Sequence, residues 1–350
     1  MDATITPRDP LDLDALGAWL AAHGLVGELE VEQFPGGFSN LTYLVRAGDR
    51  ELVLRRPPIG ADVKGGHDVL REHRVLERLS ARWPKAPRPV LACDDATVLG
   101  GPFYLMERVR GTILRGVPQD PPAPATMREL SGRLVDGLAE LHAIDPREAG
   151  LSDLGKPEGY VQRQVRGWAE RWRRARTDDV PDMDRVAAWL DAHRPGESRA
   201  AVVHNDFKYD NVVLDPDDAT RIVAVLDWEM ATLGDPLLDL GTSLAYWTDA
   251  DDPPDLLGAS LHNPTSLPGN LSRAEVVARY ESASGRPVTD APFHFAFGLF
   301  KVGVIAQQIY ARHRRGLTSD PRFAALIDAV RGVSWLATRA IELGRVDRLR

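Results

Sequence analysis

The chain has 350 residues, 43% of them hydrophobic and 27% charged. That is the make-up of a globular protein, with more length than one core usually fills, so two lobes are expected. A net charge of −8 speaks against a general nucleic-acid binder, which favours a basic surface, and the single cysteine, Cys93, excludes an intrachain disulfide framework or a cysteine-rich zinc site.

The N-terminal M-D-A-T-I-T-P-R-D-P lacks a basic start followed by an apolar run, so no secretory signal is expected. Residues 12–22 read as a short amphipathic helix. V-E-Q-F-P-G-G-F-S-N-L-T-Y-L-V-R (31–46) reads as strand, glycine turn, strand, and E-L-V-L-R-R-P-P (51–58) as a third strand stopped by prolines. After Gly65-Gly66 a helical pattern puts Val69, Leu76 and Leu79 on one face. Short strands are expected near 97–99 and 103–109, and Cys93 reads as a small buried thiol. Residues 1–110 thus form a small antiparallel sheet with one main helix. Beyond the proline-rich link Q-D-P-P-A-P-A (119–125), residues 111–350 read as mostly helical. Leu130, Leu134, Leu138 and Leu141 make a core stripe, and helices are expected at 158–176, 182–193, 292–315 and 321–343. Ser272 and Glu275 have capping-box spacing. The most apolar late stretch, Phe293 to Ile309, is broken by His294, Lys301 and two glutamines and is too short to span a bilayer. The expectation is a cytoplasmic protein of α+β class, with no membrane or nucleic-acid partner.

One element departs from the helical pattern. N-V-V-L-D and R-I-V-A-V-L-D, joined by P-D-D-A-T, read as a β-hairpin preceded by His204-Asn205-Asp206. In an antiparallel pair the start of one strand lies beside the end of the other. Asn211 opening the first strand and Asp227 closing the second are therefore expected to meet, with Asp206 on the loop just before. An amide oxygen beside a carboxylate is a hard-oxygen site suited to Mg²⁺, which takes few protein ligands. A second carboxylate can orient a hydroxyl for attack.

His204-Asn205-Asp206 with Asn211, followed by Asp227-Trp228-Glu229, resembles the catalytic loop and metal motif of kinases. With G-D-P-L-L-D-L (234–240), the chain is more similar to the aminoglycoside phosphotransferase and choline kinase-like family than to protein kinases. P-G-G-F-S-N, V-L-R-R-P-P, R-E-H-R-V-L, L-D-W-E-M-A-T-L-G-D-P and F-K-V-G-V-I-A-Q-Q-I-Y-A-R resemble the branch whose kinase-like domain is fused to acyl-CoA dehydrogenases in animals. The resemblance implies a bilobal protein kinase-like fold and an ATP- and Mg²⁺-dependent phosphotransferase acting on a hydroxyl group. It implies Asp206 as base or hydroxyl-orienting residue, and Asn211 and Asp227 as metal ligands. Arg55, in place of the usual lysine, would hold phosphates and pair bidentately with Glu72. Gly36, Gly37 and Ser39 would cover the phosphates, and the backbone of Glu107 and Val109 would meet adenine. Glu229 is open between a second metal and an arginine partner. His204 is expected to serve packing, and Asp239 to cap or brace the loop rather than do chemistry.

The helix Y-V-Q-R-Q-V-R-G-W-A-E-R-W-R-R-A-R (160–176) carries six arginines against one glutamate. Arg166, Trp168 and Arg173 on it would suit an anionic, partly flat acceptor, such as a hydroxy acid or hydroxyacyl-CoA. The alternative is a solvated basic helix whose tryptophans pack in the core. An antibiotic kinase and a catalytically silent nucleotide-binding module remain open as other functions.

Overall fold

Five strands form one antiparallel sheet: β1 (Leu29–Gln33), β2 (Leu41–Ala47), β3 (Arg50–Arg56), β4 (Pro89–Cys93) and β5 (Phe103–Glu107), in the order β1-β2-β3-β5-β4. The computed structural model describes residues 11–34, 40–58, 68–196, 198–249, 251–253, 264–318 and 320–350. Gly36, Gly37 and Ser39 lie outside the described residues.

The sheet belongs to a first unit made of Met1–Gly111 and Val223–Ala231. Alternate strand residues turn Tyr43, Val45, Leu52, Leu54, Phe103 and Leu105 into its core, closed by Leu16 and Leu20 of α1 (Leu13–Ala22). Cys93 is buried there, and burial pushes its thiol pKa up. α2 (Val69–Ser80) begins at Asp68, whose carboxylate accepts the Arg71 N–H at 2.9 Å, and buries Val69, Glu72, Val75, Leu76 and Leu79.

The strand expected near 97–99 is instead a short helix, α3 (Ala96–Leu99). Its β-branched residues favour a strand, but Asp95 caps the Thr97 N–H at 2.8 Å and Gly100, at φ 76°, ends the turn. The neighbouring strand β4 contains Pro89 and was not legible as one.

The second unit, Thr112–Ile222 with Thr232–Arg350, is mainly helical. It holds α4 (Pro124–Ala143), α5 (Tyr160–Ala175), α6 (Pro181–Ala192), α7 (Pro236–Ala245), α8 (Arg273–Ser284), α9 (Ala291–Arg314) and α10 (Leu326–Leu343). Leu130, Leu134, Leu138 and Leu141 are all buried. The capping box closes at both ends: Ser272 Oγ accepts the Glu275 N–H at 3.3 Å, and Glu275 accepts the Ser272 N–H at 2.8 Å. The helix expected at 321–343 is split, because Pro321–Ala325 forms a 3₁₀ turn that Asp320 caps. No helix of the described residues is long and apolar enough to cross a membrane.

α7 and α9 cross at two glycines. A Cβ on Gly298 would lie 2.0 Å from the Gly241 carbonyl oxygen, and one on Gly241 would lie 2.1 Å from that of His294. Only glycine permits backbones this close.

Three short strands and part of a fourth complete the unit: β6 (Ala201–Val203) pairs antiparallel with β9 (Thr232–Gly234), and β7 (Val212–Leu214) precedes β8 (Ile222–Val225), most of which belongs to the first unit. The turn between β7 and β8 closes as the hairpin reading expects. The Asp215 N–H donates to the Arg221 carbonyl at 2.8 Å, and Asp215 Oδ1 accepts the Asp217 N–H at 2.9 Å. Two details differ from that reading. Asn211 sits in a 3₁₀ turn (Tyr209–Asn211) ahead of the strand, and Asp227 lies beyond the end of β8 at φ 69°, in the left-handed region.

Candidate active site

In the first unit the strand β3 delivers Arg55 to a cluster of carboxylates. Arg55 Nη1 donates to Glu72 Oε1 at 2.5 Å, and Nη2 to Asp227 Oδ1 at 3.0 Å with Glu229 Oε2 at 3.7 Å. Arg55 is 7% exposed and Glu72 1%. Burial alone would lower the guanidinium pKa, but the charges of Glu72, Tyr104, Asp227 and Glu229 hold it well above its ordinary value. The expected bidentate Arg55–Glu72 pair is not formed. Glu72 Oε1 also accepts the Trp228 N–H at 3.0 Å, and the second arm of the guanidinium goes to Asp227.

Glu229 also accepts a hydrogen bond from Asn40 Nδ2 at 2.9 Å. Arg71, on α2, donates to the carbonyls of Glu229 and Ala231, at 3.3 and 2.5 Å. Trp228 is buried edge-on against Trp83 and donates its indole N–H to the Val225 carbonyl at 2.8 Å. The segment 227–231 is thereby pinned to α2 by both side chain and backbone. Glu107 ends β5, and its N–H is taken by the Arg88 carbonyl at 2.9 Å. Val109 follows outside the strand, half-buried.

In the second unit the loop after β6 carries Asp206. Its Oδ2 accepts Asn211 Nδ2 at 2.8 Å and its Oδ1 accepts Lys208 Nζ at 2.9 Å. Asn211 Nδ2 also donates to the Asp206 carbonyl at 2.8 Å. Both amide protons of Asn211 are thus spent on Asp206, which turns its oxygen away from them. Lys208 Nζ lies 4.4 Å from the Tyr246 ring centre. Burial works against the ammonium, but Tyr246 and Asp206 raise its pKa. Asp210 is raised by burial, against the pull of Lys208. A small pocket beside the loop is lined by Phe207, Lys208, Asp210, Ser243, Tyr246 and Thr265. The buried Ser243 hydroxyl on its wall has no hydrogen-bond partner among the described residues.

The backbone before Asp206 is held by Asp239, fully buried on α7. One carboxylate oxygen accepts the His204 N–H and the other the Asn205 N–H, each at 2.7 Å, and His142 Nε2 lies 3.1 Å away. Burial pushes the Asp239 carboxyl up, yet the bonds and charges of His142 and His204 bring it below its ordinary value. Asp239 braces the loop, as its place in the sequence implies. His204 is buried and structural: its Nδ1 accepts the Asp206 N–H at 3.2 Å.

The profile of the phosphotransferase enzyme family matches residues 30–268. The chain belongs to that family. Acyl-CoA dehydrogenase family member 10 of Mus musculus is 35% identical over 316 residues, which are 90% of this chain and 29% of that protein. Family member 11 of Gallus gallus is 34% identical over 330 residues, 91% of this chain and 41% of that protein. The chain therefore spans well under half the length of these relatives. A crystal structure from Ralstonia eutropha, of a protein assigned to the aminoglycoside phosphotransferases, superposes with a TM-score of 0.80 at 30% identity, covering 95% of this chain and 99% of that one. The phosphotransferase family's kinase-like fold is thus the fold of this chain.

The arginine-rich helix α5 looks different in place. Trp172 is buried and bonds Asp184 at 2.8 Å, and Trp168 is buried with Arg171 over its ring at 4.6 Å. Arg166 lies 3.8 Å from Asp191, and Arg173 pairs with Glu170, along a groove between α5 and α6. Part of the positive charge is met by carboxylates: Glu170 on the same helix, and Asp184 and Asp191 on α6, which the sequence of one helix does not reveal. Reading the sequence also passed over Asn40, Arg71, Tyr160 and Lys301 as parts of the chain's polar clusters. Lys301 carried a signal, a lysine inside an apolar helical run, since buried lysines need partners.

Proposed function

We propose that this chain is an ATP- and Mg²⁺-dependent kinase that phosphorylates a hydroxyl group of a small anionic metabolite, such as a hydroxy acid or a hydroxyacyl-CoA. The observation that carries the reading is the Asp206 carboxylate. It is fixed through both oxygens, beside a cation, on a loop whose backbone a buried carboxylate braces. Phosphoryl transfer needs mainly positioning and charge stabilisation. In this reading Asp206 accepts the proton of the acceptor hydroxyl and aims its oxygen in line. Lys208 balances charge beside it.

Asn211 and Asp227 supply the donor set. The amide oxygen of Asn211 is oriented away from its committed N–H groups, and Asp227 keeps Oδ2 outside its bond to Arg55. These are hard oxygens that suit Mg²⁺. When bound, the metal would neutralise the nucleotide phosphates. Arg55, held by Glu72, orders Asp227 and offers a permanent charge to phosphate. Gly36, Gly37 and Ser39 would cover the phosphates. The Glu107 carbonyl and the Val109 N–H would meet adenine, the Glu107 N–H being already engaged.

The anionic acceptor follows from the dehydrogenases to which the relatives' kinase-like region is joined, and Arg166, Trp168 and Arg173 are its candidate contacts. The test measures ATP and GTP consumption over a panel of hydroxy acids, hydroxyacyl-CoAs and aminoglycosides, with Asp206→Ala as control. Acceptor-dependent turnover on the acids or thioesters, lost in Asp206→Ala with nucleotide binding retained, is expected. Turnover on aminoglycosides alone would make the chain an antibiotic kinase, and nucleotide binding with no turnover would make it a silent module. Charge reversal at Arg166 and Arg173 should raise KM for the acceptor; a level KM makes α5 a surface helix.

A further inference from the structure

We propose that Lys301 is a positioning residue for the catalytic loop, whose buried ammonium locks the peptide plane preceding Asp206. The inference rests on the reading of Asp206 as the group that aims the acceptor.

Lys301 lies mid-way along α9, 3% exposed, between the buried Phe300 and Val302. No carboxylate of the described residues forms an ion pair with it. Its Nζ donates instead to the Asn205 carbonyl at 2.7 Å and sits 5.8 Å from the Trp168 ring centre. A buried charge with only a carbonyl partner is costly, and a leucine or methionine would fill the same space without that cost.

The target explains the expense. Asn205 has φ 68°, a left-handed conformation that asparagine adopts more readily than most non-glycine residues and that its contacts fix here. Its N–H is held by Asp239 at 2.7 Å and its side-chain oxygen by the Tyr160 hydroxyl at 3.2 Å. Its carbonyl belongs to the same peptide plane as the Asp206 N–H. Lys301 holds the oxygen end of that plane and His204 Nδ1 the N–H end, at 3.2 Å. Rotating the plane would break both bonds and swing Asp206. The close crossing at Gly241 and Gly298 brings this part of α9 against α7, the helix that carries Asp239.

Burial lowers the Lys301 pKa to about 8, opposed by Asp206 and Asp239 and assisted by Lys208 and Arg171. Its ammonium is therefore disfavoured by folding, and its removal should not weaken the fold. A purely structural lysine would behave in the opposite way.

The experiment compares wild type with Lys301→Met. Expected are an unchanged or higher Tm, amide exchange at Asp206 faster by roughly tenfold or more, and a kcat lower by roughly 10–100-fold at near-constant nucleotide KM. A Tm loss with kcat and exchange unaltered would overturn the proposal. If Lys301→Met fails to fold, the wild type decides. The Asp206 amide resonance should move with the Lys301 Cε titration near pH 8, and an amide that stays still through it refutes the lock. Loss of exchange protection without any effect of Asp206→Ala on turnover would uphold the lock while sinking the catalytic reading.

Discussion

Replacing Asp239 by alanine tests how the loop that carries Asp206 is held. The carboxylate accepts two backbone N–H groups, from His204 and Asn205, at 2.7 Å, and faces His142 Nε2 at 3.1 Å. Asp239 and His204 are both 0% exposed, so no water would replace the lost acceptor. An unsatisfied buried donor costs about 1–3 kcal/mol, so the two amides alone account for roughly 2–6 kcal/mol. Removing a buried anion returns part of this, which places the expected loss near 3 kcal/mol, a large share of a total of about 5–15 kcal/mol. Urea unfolding followed by tryptophan fluorescence should show a lower midpoint at constant slope. Asp239→Asn keeps one acceptor and turns an NH₂ toward a donor, so it should lie in between. The Asp239 carboxyl is held below its unfolded value of 3.8. Its contribution is therefore complete above that pH and lost as pH falls through the lower folded value. Wild type and Asp239→Asn should converge only in strong acid. A loss under about 1 kcal/mol for Asp239→Ala, with exchange at His204 and Asn205 unaltered, would refute the bracing role.

Other perturbations separate the remaining contacts. Arg55→Met leaves the 1%-exposed Glu72 without its partner and should cost about 3–5 kcal/mol, most of it recovered in Arg55→Met/Glu72→Met; equal destabilisation by single and double variants in a urea titration would contradict the pairing. Gly298→Ala drives a Cβ to 2.0 Å from the Gly241 carbonyl oxygen, so the helices must part at about 1–3 kcal/mol or more; a calorimetric Tm within about 2 °C of wild type would rule this out. His294 is buried on α9, and burial lowers its pKa from 6.5. Stability should thus decline as pH drops below that value, and His294→Phe should flatten the decline; parallel curves between pH 7 and 5 would reject it.

What could be read from the sequence was what its local spacing encodes. Val69, Leu76 and Leu79 announce α2, and Glu72 then falls where β3 can present Arg55. Asp239 behind G-D-P is legible as a brace because a carboxylate one turn into a helix can accept backbone N–H groups. Partners distant in sequence were not legible. The arginines of α5 read as largely unpaired in the helix's own sequence, and the carboxylates of Asp184 and Asp191 on α6 that stand beside two of them are not visible there. Strands β6 and β9, three residues each, are too short for any periodicity and exist through their pairing. Ala96–Leu99 has strand-favouring residues, and only the cap at Asp95 and the left-handed Gly100 decide it. Lys301 was visible as an interruption of an apolar run. Its partner was not, because a backbone carbonyl leaves no mark in the sequence.

Arginine at position 55 fits the geometry around it better than the lysine more usual in kinases. Glu72 receives one arm of the guanidinium on Oε1, the oxygen that also accepts the Trp228 N–H. The guanidinium gives one arm to Glu72 and the other to Asp227, at 2.5 and 3.0 Å, while remaining charged at any pH the fold survives. A lysine has three donors but all on one atom, so it could meet both carboxylates only where both come within reach of a single nitrogen. Three carboxylates, Glu72, Asp227 and Glu229, surround this guanidinium, and Arg71 donates to the carbonyls of Glu229 and Ala231. Asp227 is the most open of the three, its side chain 35% exposed against 1% for Glu72 and 13% for Glu229. The guanidinium at position 55 therefore ties the more open Asp227 carboxylate to the buried Glu72.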